Sequence, residues 1–192
     1  MFEQLLQLVQ EHAQTAVVNN PAVPNEQNQA VVQAATESIT SSLQQELANG
    51  NTAGVLSLLG GQADTNANPL VNNISNNFLD TLLKKFNLDK GAASQIAGSL
   101  IPAVLGSLVN KTNDPSNKGF SLDGILGSLT GGASSGLDLN GILGKLKGGL
   151  DKDGDGDVDF NDLKNVLSNG AKQQQGSSSG AGFGDVLKNL FG

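Results

Sequence analysis

Six aspartates fall within twelve consecutive residues, and their spacing is regular. The segment 151–162 reads Asp-Lys-Asp-Gly-Asp-Gly-Asp-Val-Asp-Phe-Asn-Asp, with carboxylates at its first, third, fifth, seventh, ninth and twelfth positions. A hard divalent cation is bound by oxygen atoms, and Ca²⁺ takes about six to eight of them. Carboxylates this close repel one another unless a cation compensates their charge. We therefore expect this segment to bind Ca²⁺, with Mg²⁺ as a second candidate ion.

The spacing gives each position of the segment a role, because it matches the calcium loop of EF-hands and dockerin-type loops. Gly156 stands at the sixth position, where the chain must turn with positive φ, and Val158 at the eighth is expected to pack inward or to pair with another loop. The predicted metal ligands are Asp151, Asp153 and Asp155 through their side chains, Asp157 through its backbone carbonyl, Asp159 through a bound water and Asp162 through its carboxylate.

Two departures from that template limit the prediction. The twelfth ligand is Asp162 rather than Glu, and its shorter side chain reaches the ion less easily with both oxygens, which favours Mg²⁺ relative to Ca²⁺. The incoming segment 139–150 contains four glycines, whereas the outgoing segment 161–167 is a better helix. The pattern is therefore half of an EF-hand. Because sensor proteins open a groove with paired hands, a single loop favours a structural cation over a switch.

The composition excludes several other classes of function. The chain of 192 residues has no Cys, so it has no disulfide, thiolate zinc site or cysteine nucleophile. All eleven basic residues are Lys, Trp and Tyr are absent, and the net charge is -7, which together argue against a nucleic-acid partner. Most of that charge lies in the segment 151–162. The remaining acids are scattered at helix starts, so we expect no enzyme.

Three further expectations concern the N-terminal part and the location of the protein. His12 is the one histidine of the chain, and we expect it to face solvent rather than to serve catalysis or a metal. The segment 1–14 interleaves acids and amides with apolar residues, unlike a secretory signal. No run of about eighteen apolar residues predicts a transmembrane span. The expected location is therefore cytoplasmic.

Apolar residues recur at three- and four-residue spacing through the first 110 residues, which predicts an all-α fold. Five helices are expected: one from Phe2, one capped by Asn25, a short one ending at Gly60-Gly61, one opened by Asn68-Pro69 and one capped by Asp89. Both faces of the fifth helix are apolar or small, so we expect it to be the central buried helix. Pro102 lies within it and predicts either a kink or two abutting helices.

Glycine recurs at short intervals from residue 111 onward. The segment 120–132 carries the pattern Gly-Ile-Leu-Gly-x-Leu before a diglycine, the segment 137–149 repeats it, and 183–192 is a degenerate third copy. Helices this short do not persist alone in water, so each must dock on the core, on another copy or on a partner. The expected organisation is a helical core over 1–110, short-helix repeats packing on it over 111–150, a half EF-hand with its exit helix over 151–170, a flexible linker over 171–182 and an amphipathic segment over 183–192.

The placement of leucine, alanine and glycine in segment 78–132, FLDTLLKKFNLDKGAASQIAGSLIPAVLGSLVNKTNDPSNKGFSLDGILGSLTGG, resembles the bacterial YidB-like family, a helical domain of unknown function. The segment NNPAVPNEQN at 19–28 and the glycine-punctuated tail with its acidic loop are similar to a longer subgroup of that family. The resemblance implies an all-helical, multi-helix fold. It implies no catalytic residues.

These observations favour a non-enzymatic helical protein that binds Ca²⁺ and acts through protein contacts, including self-association. Small residues of the fifth helix, such as Ala97 and Gly98, permit close approach of another helix, and the repeated short helices present apolar faces. The alternative is a membrane-surface protein in which the faces around Ile125, Ile142 and Val186 lie at a bilayer interface, with Ca²⁺ bridging to anionic lipid. Net acidity and the scarcity of flanking Lys count against that alternative.

Overall fold

The computed structural model describes residues 2–65, 68–114, 116, 120–131, 168–169 and 171–173. Over these residues the protein is all-α, as the apolar spacing predicts, and no strand is present among them. Short π and 3₁₀ turns at Gln14–Val18 and Asn25–Gln27 connect the first two helices. The helices are α1 (Phe2–Ala13), α2 (Asn28–Ala48), α3 (Thr52–Leu59), α4 (Pro69–Lys85), α5 (Lys90–Thr112) and α6 (Leu122–Leu129).

The central element of the bundle is α2. It contacts α1, α3, α4 and α6, and both neighbouring turns also pack against it. Its apolar residues Val31, Ala35, Ile39 and Leu47 are fully buried. The prediction that α5 is the central buried helix is therefore wrong. A row of small and polar residues on α5, among them Gly98, is exposed to solvent.

Polar residues on α2 are buried as well, and hydrogen bonds within the helix make this possible. The hydroxyls of Thr36, Ser38 and Thr40 donate to the carbonyls four residues before them, at 2.8 to 3.0 Å. Ser42 accepts a 3.0 Å hydrogen bond from Asn77 on α4. A buried hydroxyl costs little when it is hydrogen-bonded. Counting apolar residues therefore underestimates how much of α2 lies inside.

Pro102 does not divide α5, which runs as one helix from Lys90 to Thr112. The helix packs against α4, α1 and α3. By length and composition alone it could cross a membrane, since its most apolar window of 18 residues has a mean hydropathy of 1.5, and half of that window is buried inside the fold. A core helix passes the same test, so the described chain shows no clear transmembrane span.

The helix boundaries follow the predicted caps with one exception. Asn68 and Asp89 accept hydrogen bonds from the amides of Leu70 and Ala92, and thereby cap α4 and α5. Asn25 does not cap α2, because a 3₁₀ turn at Asn25–Gln27 precedes that helix and Gln27 holds its N-cap position without a side-chain bond. The prediction for Asn25 is wrong because Pro24 favours a tight turn there before the α-helix begins.

Glycines with positive φ follow three of the described helices. Gly50, Gly61 and Gly131 have φ of 82°, 71° and 61°, and each lies two residues after the last residue of α2, α3 or α6. Only glycine adopts this left-handed conformation without steric cost. Each helix therefore ends where its sequence places the glycine.

We expect Gly61→Ala to lower the free energy of unfolding by about 1 to 2 kcal/mol, because alanine is strained at positive φ. Its Cβ would also lie 3.1 Å from Nδ2 of Asn113. Gly98→Ala is the matched control: a Cβ there meets nothing within 4 Å, and the change should stabilise α5 by about 0.5 to 1 kcal/mol. Urea unfolding followed by circular dichroism measures both. A destabilising Gly98→Ala would contradict the exposed position of this residue.

Candidate functional site

The six predicted metal ligands, Asp151, Asp153, Asp155, Asp157, Asp159 and Asp162, lie outside the described residues, as do Gly156 and Val158. Within the part of the chain that the structure describes, no three His, Asp or Glu side chains come together in a way that could hold a metal ion. The structure describes the two flanks of the segment 132–167, which are the residues up to 131 and those from 168, and both are attached to the helical core.

The first flank ends in α6, which is the helix of the first glycine repeat. Ile125, Leu126 and Leu129 are 0 to 1 % exposed and belong to the main core, and α6 contacts α2. Ser121 caps the helix by accepting a hydrogen bond from the amide of Gly124. This copy of the repeat therefore packs on the core of its own chain.

A buried glutamine fixes the end of α6. The side-chain amide of Gln44 donates to the carbonyl of Leu129 at 3.4 Å, and Gln44 is only 3 % exposed. At the start of the repeat, Phe120 is buried beneath Lys111, whose ammonium lies 5.4 Å from the centre of the ring. The described residues before 132 therefore end at a position that is held against α2.

The second flank, from residue 168, also contacts α2. The hydroxyl of Ser168 donates to the carbonyl of Ala48 at 2.7 Å, and Ala171 is completely buried within the core cluster. Residues 168–169 and 171–173 are helical. Of the flexible linker predicted over 171–182, the structure describes residues 171–173, and residues 174–182 lie outside the described part of the chain.

The bond from Ser168 completes the C-terminal end of α2. The last four carbonyls of a helix have no partner within it. In α2, the carbonyls of residues 45, 46 and 47 accept from the backbone amides of residues 49, 51 and 50 respectively. The carbonyl of Ala48 instead accepts from Ser168, 120 positions later in the chain. No local residue supplies this bond.

The same arrangement recurs at the other two glycine-ended helices. In α3, backbone amides of Gly61 and Gln62 bond to the carbonyls of Leu58 and Ser57, and the carbonyl of the last residue, Leu59, accepts from Nδ2 of Asn113 at 3.1 Å. In α6, the last residue is Leu129, whose carbonyl accepts from Gln44. In all three helices a side chain distant in sequence bonds to the final carbonyl.

Sequence reasoning missed the residues Ser168, Asn113 and Gln44. They are separated from their partners by 120, 54 and 85 positions, so no short-range spacing reveals them. The glycine that ends each helix is the only signal in the sequence, because it indicates that the last carbonyl will need a partner from elsewhere.

His12 is half-buried, not solvent-facing as predicted. Its Nε2 lies 2.7 Å from the hydroxyl of Ser107, which joins α1 to α5 by a hydrogen bond. One turn further along α5, the ammonium of Lys111 lies 3.8 Å from the carboxylate of Glu11. The packing of α1 on α5 explains the burial, since it brings the edge of the apolar stripe, where His12 sits, against the neighbouring helix.

Two hydrogen bonds from Ser116 affect the ionisation of Asp114. Hydrogen bonds from the hydroxyl and the amide of Ser116, at 2.6 and 2.9 Å, lower the pKa of its carboxyl group below the ordinary value. Hydrogen bonds to a carboxylate favour its charged form. Asp114 is exposed to solvent.

Comparisons with known proteins add nothing to this geometry: no family model matches the chain, and neither a curated protein nor a solved structure matches it.

Asn113→Ala should lower the free energy of unfolding by about 1 to 2 kcal/mol, because it removes the bonds from Nδ2 to the carbonyls of Leu59 and Val109. Asn110→Ala provides the control, since Asn110 is exposed in the last turn of α5, three residues before Asn113, and alanine is the better helix former. Chemical denaturation of both variants measures the difference. Equal stabilities would show that the carbonyl of Leu59 needs no bond from Asn113.

Proposed function

We propose that the protein is a non-enzymatic helical protein that binds Ca²⁺ through the loop at 151–162 and has a structural or protein-interaction role. The observation that carries the proposal is the order of residues in the loop: carboxylates at positions one, three, five, seven, nine and twelve, and glycine at position six. A solvated acidic turn requires no such order. The proposed ligands are Asp151, Asp153, Asp155, Asp157, Asp159 and Asp162.

The distribution of charge supports this proposal. Six Asp and one Lys give the loop a charge of -5, out of -7 for the whole chain. In the described residues the acids instead lie apart, as Glu3, Asp80, Asp89 and Asp123 do on separate helices or helix ends. A bound divalent cation would offset the repulsion among the loop carboxylates.

A structural role for the ion is supported by the attachment of both flanks of residues 132–167 to α2. Gln44 holds the end of α6, and Ser168 bonds to Ala48, one helical turn further along. A cation in this part of the chain would fix a segment that begins and ends at the core, which suits a stabilising ion more than a switch between two states.

The membrane-surface alternative loses part of its basis. It requires the apolar face of each short helix to be free for a bilayer, and in the first copy Ile125, Leu126 and Leu129 are buried in the core. The proposal therefore places the remaining two copies, over 137–149 and 183–192, in contacts with protein, either within the chain or in self-association. A cytoplasmic location and relationship to the YidB-like family are parts of the same proposal.

Titration calorimetry with CaCl₂ and MgCl₂ tests cation binding. We expect the wild-type protein to release or absorb heat on binding Ca²⁺ below millimolar concentration and Asp151→Ala to lose most of that affinity. Asp80→Asn is the matched control, because it removes a carboxylate from the exposed Asp80–Lys84 pair on α4 and leaves the loop unchanged. An absence of wild-type heat at millimolar Ca²⁺ would exclude the proposed site.

Flotation with liposomes separates the two candidate roles. We expect the wild-type protein not to float with vesicles that contain anionic lipid, whether the buffer contains Ca²⁺ or EDTA. Light scattering over a concentration series in the same two buffers reports self-association. Ca²⁺-dependent flotation would instead support the membrane-surface function.

A further inference from the structure

We propose that Asn49 is a site of deamidation and that the folded C-terminal end of α2 protects it. Asn49 and Gly50 form an Asn-Gly pair directly after the central helix, and the side chain of Asn49 is exposed to solvent. The site becomes reactive only when this helix end opens, so the reaction marks molecules in which it has opened. The proposal does not depend on cation binding by the loop at 151–162.

An asparagine that precedes glycine loses ammonia by a reaction within the chain. The backbone nitrogen of the glycine gives its proton to solvent and attacks the side-chain carbon Cγ of the asparagine. The new C–N bond closes a succinimide ring, and the bond between Cγ and Nδ2 breaks as the amide group takes a proton from solvent and leaves as ammonia. Water then opens the ring and leaves aspartate or isoaspartate. Glycine favours this reaction because it has no Cβ to obstruct its nitrogen.

The geometry at the end of α2 opposes this reaction in the folded chain. The amide of Gly50 donates to the carbonyl of Leu47 at 2.9 Å, so the proton that must leave is held in a hydrogen bond. Asn49 has φ of -78° and ψ of -3°, in the right-handed helical region. Ring closure requires the nitrogen of Gly50 to lie nearly in one plane with Cα, Cβ and the carbonyl carbon of Asn49, and this ψ rotates it out of that plane. The helix end must therefore open before the ring forms.

Two further hydrogen bonds hold the helix end closed around this pair. The amide of Asn51 donates to the carbonyl of Glu46 at 2.9 Å, and the hydroxyl of Ser168 donates to the carbonyl of Ala48 at 2.7 Å. The first bond is local, whereas the second comes from 120 positions further along the chain. Helix ends open more readily than helix centres, and each bond at the end lowers the open fraction. Ser168 is therefore the distant residue that limits how often Asn49 becomes reactive.

Deamidation makes this helix end less stable once it has occurred. It places a carboxylate at the C-terminal end of α2, where the helix dipole favours positive charge. The last turn of α2 carries no basic residue to offset that charge, and Glu46 precedes it by three residues. Isoaspartate also adds one carbon to the backbone before Gly50, which disturbs the turn in which this glycine has φ of 82°. Opening of the helix end is thus converted into a permanent change.

Peptide mapping by mass spectrometry of the full-length protein tests the proposal, because deamidation raises the mass of the peptide that carries Asn49. The protein is incubated at mildly alkaline pH, once in native buffer and once in urea. Peptide mapping separates this pair from the two other Asn-Gly pairs of the sequence, at 140–141 and 169–170. We expect Asn49 to deamidate in urea and to react at least about tenfold more slowly in the folded protein.

Ser168→Ala removes the bond to Ala48 and should raise the folded-state rate at Asn49 by about 2- to 10-fold without changing the rate in urea. Asn113→Ala is the matched control, because it removes the distant bond to the last carbonyl of α3 instead. If the end of α2 opens locally, this control should leave the rate at Asn49 unchanged. Circular dichroism establishes that each variant is folded.

The outcomes are distinguishable. Faster deamidation of Asn49 in Ser168→Ala, with Asn113→Ala unaffected, supports the proposal. Equal acceleration in both variants would show that Asn49 reacts from the unfolded chain, and a Ser168→Ala rate equal to that of wild type would overturn the role of Ser168. Equal wild-type rates in buffer and urea would overturn protection by the fold. Absence of reaction at Asn49 in urea would overturn the site itself.

Discussion

The fold depends on satisfying the buried polar groups of α2, the helix that its neighbours surround. Inside this helix, the hydroxyls of Thr36, Ser38 and Thr40 bond to carbonyls of the preceding turn. At its C-terminal end, local amides satisfy all but the last carbonyl, which accepts from Ser168. Because an unpaired buried carbonyl costs about 1 to 3 kcal/mol, the end of α2 requires a residue from far along the chain. The central helix is thus joined to Ser168, in the short described stretch of the C-terminal part.

Glycine has a second effect in this protein besides ending helices. At Gly50 and Gly61 the positive φ lets the chain turn sharply and bond back to the helix, and Gly131 has a positive φ as well. Each of these carbonyls bonds to a polar side chain of another element. In the described residues, an amide or hydroxyl side chain thus joins each of these three glycine-ended helices to another element.

This connection gives the proposed calcium site its structural context. An acidic loop attached to a chain end without other contacts would bind an ion with little effect on the rest of the molecule. Here the chain on one side of the loop reaches the core through Leu129, and on the other side through Ser168 and Ala171, both against α2. The described residues on both sides of the proposed site are therefore attached to α2.

The sequence by itself determined the helical class, most helix ends and the candidate ligands, because apolar spacing, caps such as Asn68 and Asp89, and the order of carboxylates are all local properties. It misplaced His12, and it identified α5 rather than α2 as the central helix. Those features depend on which helices meet. Burial of His12 against Ser107, of hydroxyls along α2 and of Ala171 follows from contacts between residues far apart in sequence, and only the tertiary structure brings those residues together.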